Sequence, residues 1–255
     1  MPNQIPMQTP QKPPAKGAYL LPNMLTTISM FLGFLGMIWA ANGRFEAAGF
    51  ALLVSALMDG LDGKVARLTH TASEFGVQYD SLADLVAFGI SPAYLLWHWQ
   101  LANLGRVGIA AAFIYMACGA LRLARFNVSV GTTSKRFFIG LPIPAAGCTA
   151  VTLVFFSGAF PDSFQPVMPY AALVTAVCCG LLMVSRVRYF SFKEYDLFRS
   201  HPVRTMVSFF FLLALLISLP RIFSFTYCLI YICGGLVYSF ILLPRRNRRS
   251  SMRPN

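Results

Sequence analysis

The sequence predicts an all-α polytopic membrane protein of about eight transmembrane helices, with both termini in the cytoplasm. Three observations carry that reading. Apolar residues fill 56% of the 255 positions and charged ones only 12%, at a mean hydropathy of +0.61. They fall in runs close to the roughly 20 residues that cross a bilayer. The 21 lysines and arginines sit at the ends of those runs, where the positive-inside rule puts them.

Taken in order, residues 1–18 are rich in Pro, Gln and Lys without periodicity, and read as a flexible cytoplasmic tail. No small-residue cleavage site follows, so no removable signal peptide is expected. A first span from about Leu20 to Ala41 opens Leu-Pro-Asn-Met-Leu-Thr, and Pro22, Asn23, Thr26 and Thr27 suit a helix start. Five more spans are expected at about Phe45–Arg67, Gln78–Trp99, Val107–Leu123, Ile139–Phe160 and Val167–Val184. Two final spans, about Thr205–Leu219 and Ile222–Leu243, are split by Pro220-Arg221. The domain plan is therefore a six-helix core over 19–185, a cytoplasmic connection over 186–204, a two-helix hairpin over 205–243 and a basic tail over 244–255. With the N-terminus inside, 18 of the 21 basic residues face the cytoplasm; Arg44, Arg106 and Arg221 face out, beside an aromatic belt of Trp39, Trp97 and Trp99.

That placement of charge also limits function. A net charge of +12 suggests nucleic acid only when it forms a continuous face; spread over span ends it favours anionic lipid surfaces instead. No nucleic acid partner is expected. The six cysteines lie in apolar runs without metal-ligand spacing to histidine, and read as packing residues.

The acidic residues are distributed very differently. Five of the nine (Asp59, Asp62, Glu74, Asp80 and Asp84) fall between positions 59 and 84. Carboxylates at the ends of membrane helices are costly and usually functional. On a helix, Asp62 lies about 60° from Asp59, with Gly63 and Ala66 close by and Arg67 at about 80°. Gly76, Asp80 and Asp84 share one face of the next span. Two adjacent antiparallel helices would then point four carboxylates at each other, with Gly63, Ala66 and Gly76 leaving room. Such a group repels itself unless a cation joins it, and all-oxygen ligands favour Mg²⁺, Mn²⁺ or Ca²⁺. From the start of the second span, Asp59 and Asp62 lie about 21 to 26 Å along the helix, near headgroup depth on the cytoplasmic side. Thr71-Ala72-Ser73-Glu74 fits a capping box for the third span.

The pattern D-x2-D-G-x2-A-R-x8-G-x3-D-x3-D, formed by Asp59, Asp62, Gly63, Ala66, Arg67, Gly76, Asp80 and Asp84, resembles the motif of the CDP-alcohol phosphatidyltransferase family. The resemblance implies transfer of a phosphatidyl group from CDP-diacylglycerol to an alcohol, with release of CMP. It implies that Asp59, Asp62 and Asp80, completed by Asp84, hold Mg²⁺ or Mn²⁺, two ions in all, and that Asp84 is the base on the acceptor hydroxyl. Gly63, Arg67 and Ser73, with Ala66 and Gly76, match positions on the CDP side, and the segment carrying Asn23 and Thr26 resembles the one that closes over the donor phosphates. A homodimer is implied as well.

The acceptor is read from the chain after the fourth span. Leu-Arg-Leu-Ala-Arg-Phe-Asn places Arg122, Arg125 and Asn127 on the side of the aspartates, followed by Gly-Leu-Pro-Ile-Pro-Ala-Ala. Serine carries a carboxylate that arginine can pair with bidentately, and both segments resemble the phosphatidylserine synthase branch. L-serine is the expected acceptor; glycerol 3-phosphate and inositol phosphate, whose phosphates also attract arginine, are the competing ones. A divalent-cation transporter is the competitor from another class, although transporter sites tend to lie at the midplane on broken helices.

Overall fold

A computed structural model describes residues 20–69, 73–129, 137–190 and 220–242. The elements in order are α1 (Leu20–Ala41), α2 (Phe45–Leu68), α3 (Glu74–Asp84), α4 (Ser91–Trp99), α5 (Arg106–Ser129), β1 (Phe137–Ile139), α6 (Ile143–Ser157), α7 (Met168–Val184), β2 (Arg188–Phe190) and α8 (Pro220–Val237). The tails, the expected span at Thr205–Leu219, and Thr71 lie outside the described residues, as do the side chains of Ala66 and Arg67.

Side-chain size, not polarity, decides which way α1 faces. Its buried positions are Pro22, Thr26, Ser29, Gly33, Gly36 and Ala40, while the bulky Phe31, Phe34 and Ile38 are exposed. Lipid tails are as apolar as a protein core, so membrane helices associate through small residues and polar bridges. Ser29 Oγ accordingly lies 2.8 Å from Ser55 Oγ of α2, and Gly33 lets the Cα of Ala87 approach so closely that a methyl group would clash at 2.8 Å. Helices α1, α5 and α7, the last with the turn before it, are long and apolar enough to cross a bilayer. Helix α2 is long but carries Asp59, Asp62 and Lys64 in its last turns.

The third span departs from the expected regular helix. It starts at Glu74, and its cap is Ser73, whose hydroxyl accepts a hydrogen bond from the Gly76 amide at 3.0 Å. Between α3 and α4 the backbone passes through a π-helical turn, Leu85–Ile90. Pro92, inside this span, supplies the reason. A proline has no N–H for the carbonyl four residues back, which is that of Phe88. The hydroxyl of Tyr115 on α5 donates to that orphan at 3.1 Å, and Ser91 Oγ sits 2.7 Å from the Val86 carbonyl and 2.8 Å from that of Gly33.

Two other boundaries are corrected. Helix α5 runs on to Ser129, so Arg122, Arg125 and Asn127 stand in its last turns and not in a connecting loop. The fifth span starts at Ile143, because Phe137–Ile139 instead pairs antiparallel with Arg188–Phe190 in a three-residue ladder. Gly140, at φ +82°, turns the chain from β1 toward α6 where a side chain would meet the Met183 carbonyl. The core below lies between α4, α5, α6 and α7 around Phe88, Tyr115, Leu141 and Met183. All six cysteines are free thiols.

Candidate active site

The acids converge. Asp59 and Asp62 on α2 and Asp80 on α3 bring one carboxylate oxygen each to within 4.8 Å of one another. Hard cations bind oxygen at about 2.0–2.6 Å, so ligands on opposite sides of one ion stand about 4–5 Å apart. The three carboxylates therefore fit a single hard divalent ion, and their mutual repulsion is what such an ion offsets. Asp84, one turn beyond Asp80, lies outside that set but within hydrogen-bonding reach of Asp59, with Asp80 and Arg122 also acting on it.

The acids of α2 and α3 meet across the two helices, as expected. Helix α1 packs along α2 and against α3. Its first turns touch both walls. The Thr26 hydroxyl lies 2.7 Å from Asp62 Oδ2 and 3.1 Å from the Pro22 carbonyl, with one proton to donate to either. Thr27 Oγ1 is 2.8 Å from the Tyr79 hydroxyl on α3. Gly76 of α3 packs beside Asn23: a methyl group there would sit 3.7 Å from Asn23 Oδ1 and 3.1 Å from the capping Ser73 Oγ. Thr26 thus contacts an acid of the cluster and Asn23 lies beside Gly76, so neither is merely a helix start. Among the described residues, nothing lies within 4 Å of the position a Gly63 side chain would take.

The residues assigned to the acceptor separate. Arg122 is buried, at 8% exposure, with Asp84, Arg125 and Tyr231 as its electrostatic neighbours. Its Nε has no hydrogen-bond partner among the described residues. Arg125 is occupied instead: Nη1 donates to the Val184 carbonyl at 2.9 Å and Nη2 to that of Ile139 at 2.9 Å. It ties the exposed carbonyls at the end of α7 to β1, the usual use of a cation at a helix C-terminus. Asn127 links α5 to α3, accepting from Ser81 Oγ at 3.1 Å and donating to Gln78 Oε1 at 3.3 Å. These three polar residues rim a groove of about 220 Å³ that is otherwise apolar. Tyr79, stacked on Phe75 of its own helix and bonded to Thr27 of α1, escaped the sequence reading because it belongs to no spaced pattern.

A family model described as CDP-alcohol phosphatidyltransferase matches residues 19–178. Among curated proteins, a CDP-diacylglycerol–serine O-phosphatidyltransferase of Helicobacter pylori is 40% identical over 181 residues, covering 71% of this chain and 76% of that protein. One from Methanocaldococcus jannaschii is 34% identical over 216 residues, covering 84% and 94%. An archaetidylserine synthase of Methanothermobacter thermautotrophicus is 34% identical over 171 residues, covering 66% and 69%.

Proposed function

The chain belongs to the CDP-alcohol phosphatidyltransferase family, and from that premise we propose that it transfers the phosphatidyl group of CDP-diacylglycerol to L-serine, giving phosphatidylserine and CMP. The observation that carries this reading is the convergence of Asp59, Asp62 and Asp80 within 4.8 Å, inside the complete family motif. Serine is the acceptor because relatives named as serine O-phosphatidyltransferases match most of this chain and the buried Arg122 has Asp84 among its electrostatic neighbours.

Each residue then has a distinct task. Asp59, Asp62 and Asp80, with Asp84 beside Asp59, would hold Mg²⁺ or Mn²⁺, which when bound would neutralise charge at the phosphoryl oxygens and at the departing CMP. Thr26 orients Asp62, and Asn23, Gly63, Ala66, Arg67, Ser73 and Gly76 border the space for the cytidine diphosphate. Asp84 takes the proton from the serine hydroxyl as its oxygen bonds to phosphorus and the bond to CMP breaks, a general-base role worth about 10²–10⁴ in rate. Arg122 anchors the serine carboxylate. Arg125 and Asn127 act one step removed, by holding α7, β1 and α3 in place around it.

The setting follows from charge. Eight spans, both termini inside and an active site opening to the cytoplasm from the cell membrane agree with the basic residues at span ends. The six-helix core over 19–185 carries the chemistry, and the enzyme works as a homodimer.

The test is an acceptor panel. Purified full-length protein with Mg²⁺ or Mn²⁺ and labelled CDP-diacylglycerol is expected to form phosphatidylserine and CMP from serine. Turnover with glycerol 3-phosphate but not serine would remove the acceptor; cation flux without CMP release would remove the enzyme class.

A further inference from the structure

The π-helical turn Leu85–Ile90 begins at the residue after Asp84, so whatever holds the turn also aims the acids of α3. Its mark is the Ser91 amide, which bonds the Val86 carbonyl five residues back where an α-helix would bond four back. The turn therefore takes up one residue more than a regular helix, and one residue is about 100° of helical rotation. Asp80 and Asp84 lie on one side of it and α4 on the other. Helix α4 has no freedom to absorb a change, because Leu95 and Leu96 are fully buried. Drawn back into a regular helix, the turn would swing Asp80 away from Asp59 and Asp62.

Three helices close on this turn by backbone contact. A methyl group on Gly33 of α1 would clash with the Cα of Ala87 at 2.8 Å. One on Gly147 of α6 would stand 3.5 Å from the Cα of Phe88, and one on Gly119 of α5 3.8 Å from the Cα of Gly89. Close packing fixes where the turn lies but leaves its carbonyls in need of donors, which an apolar setting does not provide. Pro92 withdraws one donor. Tyr115, itself fully buried, supplies the replacement: its hydroxyl donates to the Phe88 carbonyl at 3.1 Å. The Ser91 hydroxyl has one proton to give, to the Val86 carbonyl at 2.7 Å or that of Gly33 at 2.8 Å. Helix α5, which carries Tyr115, also carries Arg122 two turns further on, about 20° away around the helix. One hydrogen bond thus joins the span bearing the acids to the helix bearing the buried arginine.

We propose that Tyr115 and Ser91 are positioning residues for the transfer: their hydroxyls keep the π-helical turn that rotates Asp80, and Asp84 one turn beyond it, toward the acids of α2. Neither residue touches a substrate; both act through the carboxylates of α3. The inference rests on Asp59, Asp62 and Asp80 holding a divalent ion, and holds for any acceptor alcohol.

The experiment titrates Mn²⁺ alone into the purified full-length chain and reads bound ion from the loss of the free-ion EPR signal. Tyr115→Phe keeps the ring and removes only the hydroxyl. Its Kd for Mn²⁺ is expected to rise about tenfold, the scale of lost support to a metal ligand. At saturating Mn²⁺ and substrates, kcat should also fall about tenfold. Ser91→Ala should move both quantities in the same direction. Arg221→Gln removes the ties to the Gly158 carbonyl and to Glu46, at the opposite end of α2 from the acids, and controls for lost stability. It should lower the melting temperature and leave the Mn²⁺ Kd unchanged. A Kd within about twofold of wild type in Tyr115→Phe would overturn the assignment, and so would an equal rise in Arg221→Gln. Should Tyr115→Phe fail to fold, Ser91→Ala decides by the same threshold. If wild type binds no Mn²⁺, the metal reading falls and this inference with it; unshifted variants of a wild type that binds the ion sink the inference alone.

Discussion

The two walls of the site use charge in opposite ways. On the acidic wall, residues 21 positions apart in sequence, Asp59 and Asp80, meet within 4.8 Å along with Asp62. On the basic wall, Arg122 and Arg125 are one helical turn apart and part company: one is buried beside Asp84, the other is spent on the carbonyls of Val184 and Ile139. The difference is one of available partners. Carboxylates accept hydrogen bonds and repel each other, so among themselves they find no structural use. Arginine donates, and every helix end offers it unpaired carbonyls. Clustered acids therefore point to a ligand, whereas an arginine near a helix end points to nothing until its neighbours are known.

The largest effect should come from the acidic wall. Asp80→Asn removes one of three converging negative charges and is expected to lower CMP release by at least about a hundredfold, the usual cost of losing a group that stabilises transition-state charge. Asp84→Asn should cost about as much in turnover, yet leave equilibrium binding of CDP-diacylglycerol intact. If excess metal rescued both variants equally, the two acids would not have separate tasks.

A smaller effect separates the arginines. Arg122→Gln should raise KM for serine by about 10- to 100-fold, as for a lost charge-assisted contact, with little change in melting temperature. Arg125→Gln should do the reverse: near-normal KM, and stability in detergent lower by about 1–2 kcal/mol, the upper range for hydrogen bonds between membrane helices. Matching KM changes in both variants would make the basic wall a single unit and break the contrast.

The smallest of these effects is at Thr26. Thr26→Val keeps the shape and loses the 2.7 Å bond to Asp62, so the metal concentration for half-maximal activity should rise about tenfold, the scale of lost support to a ligand. A metal titration following activity and thermal shift reads this directly. An unchanged midpoint would mean that Asp62 is held by its helix alone.

Much of this was legible in one dimension, and the exceptions have physical causes. The motif from Asp59 to Asp84 could be read because helical periodicity and carboxylate chemistry are local facts. Ser73 was visible inside a capping segment, though which residue capped was decided by the Gly76 amide. The π-helical turn was implicit in Pro92, but its stability depends on the Tyr115 hydroxyl, 27 residues away from the Phe88 carbonyl it satisfies. Thr26 looked like part of a helix start because nothing nearby in sequence shows that α1 packs along α2 and sets Thr26 against Asp62.

The sequence alone determined a membrane-embedded helical protein, its acid cluster and the family of reaction, since hydropathy, charge at span ends and motif spacing all act over short stretches of chain. Tertiary structure alone decided which polar groups face one another across helices. It set Thr26 under Asp62, turned Arg125 away to bind carbonyls, and left Arg122 buried with Asp84 among its electrostatic neighbours. The physical reason is that an apolar environment forces every buried donor to find an acceptor, and which acceptor it finds is a matter of packing between segments distant in sequence.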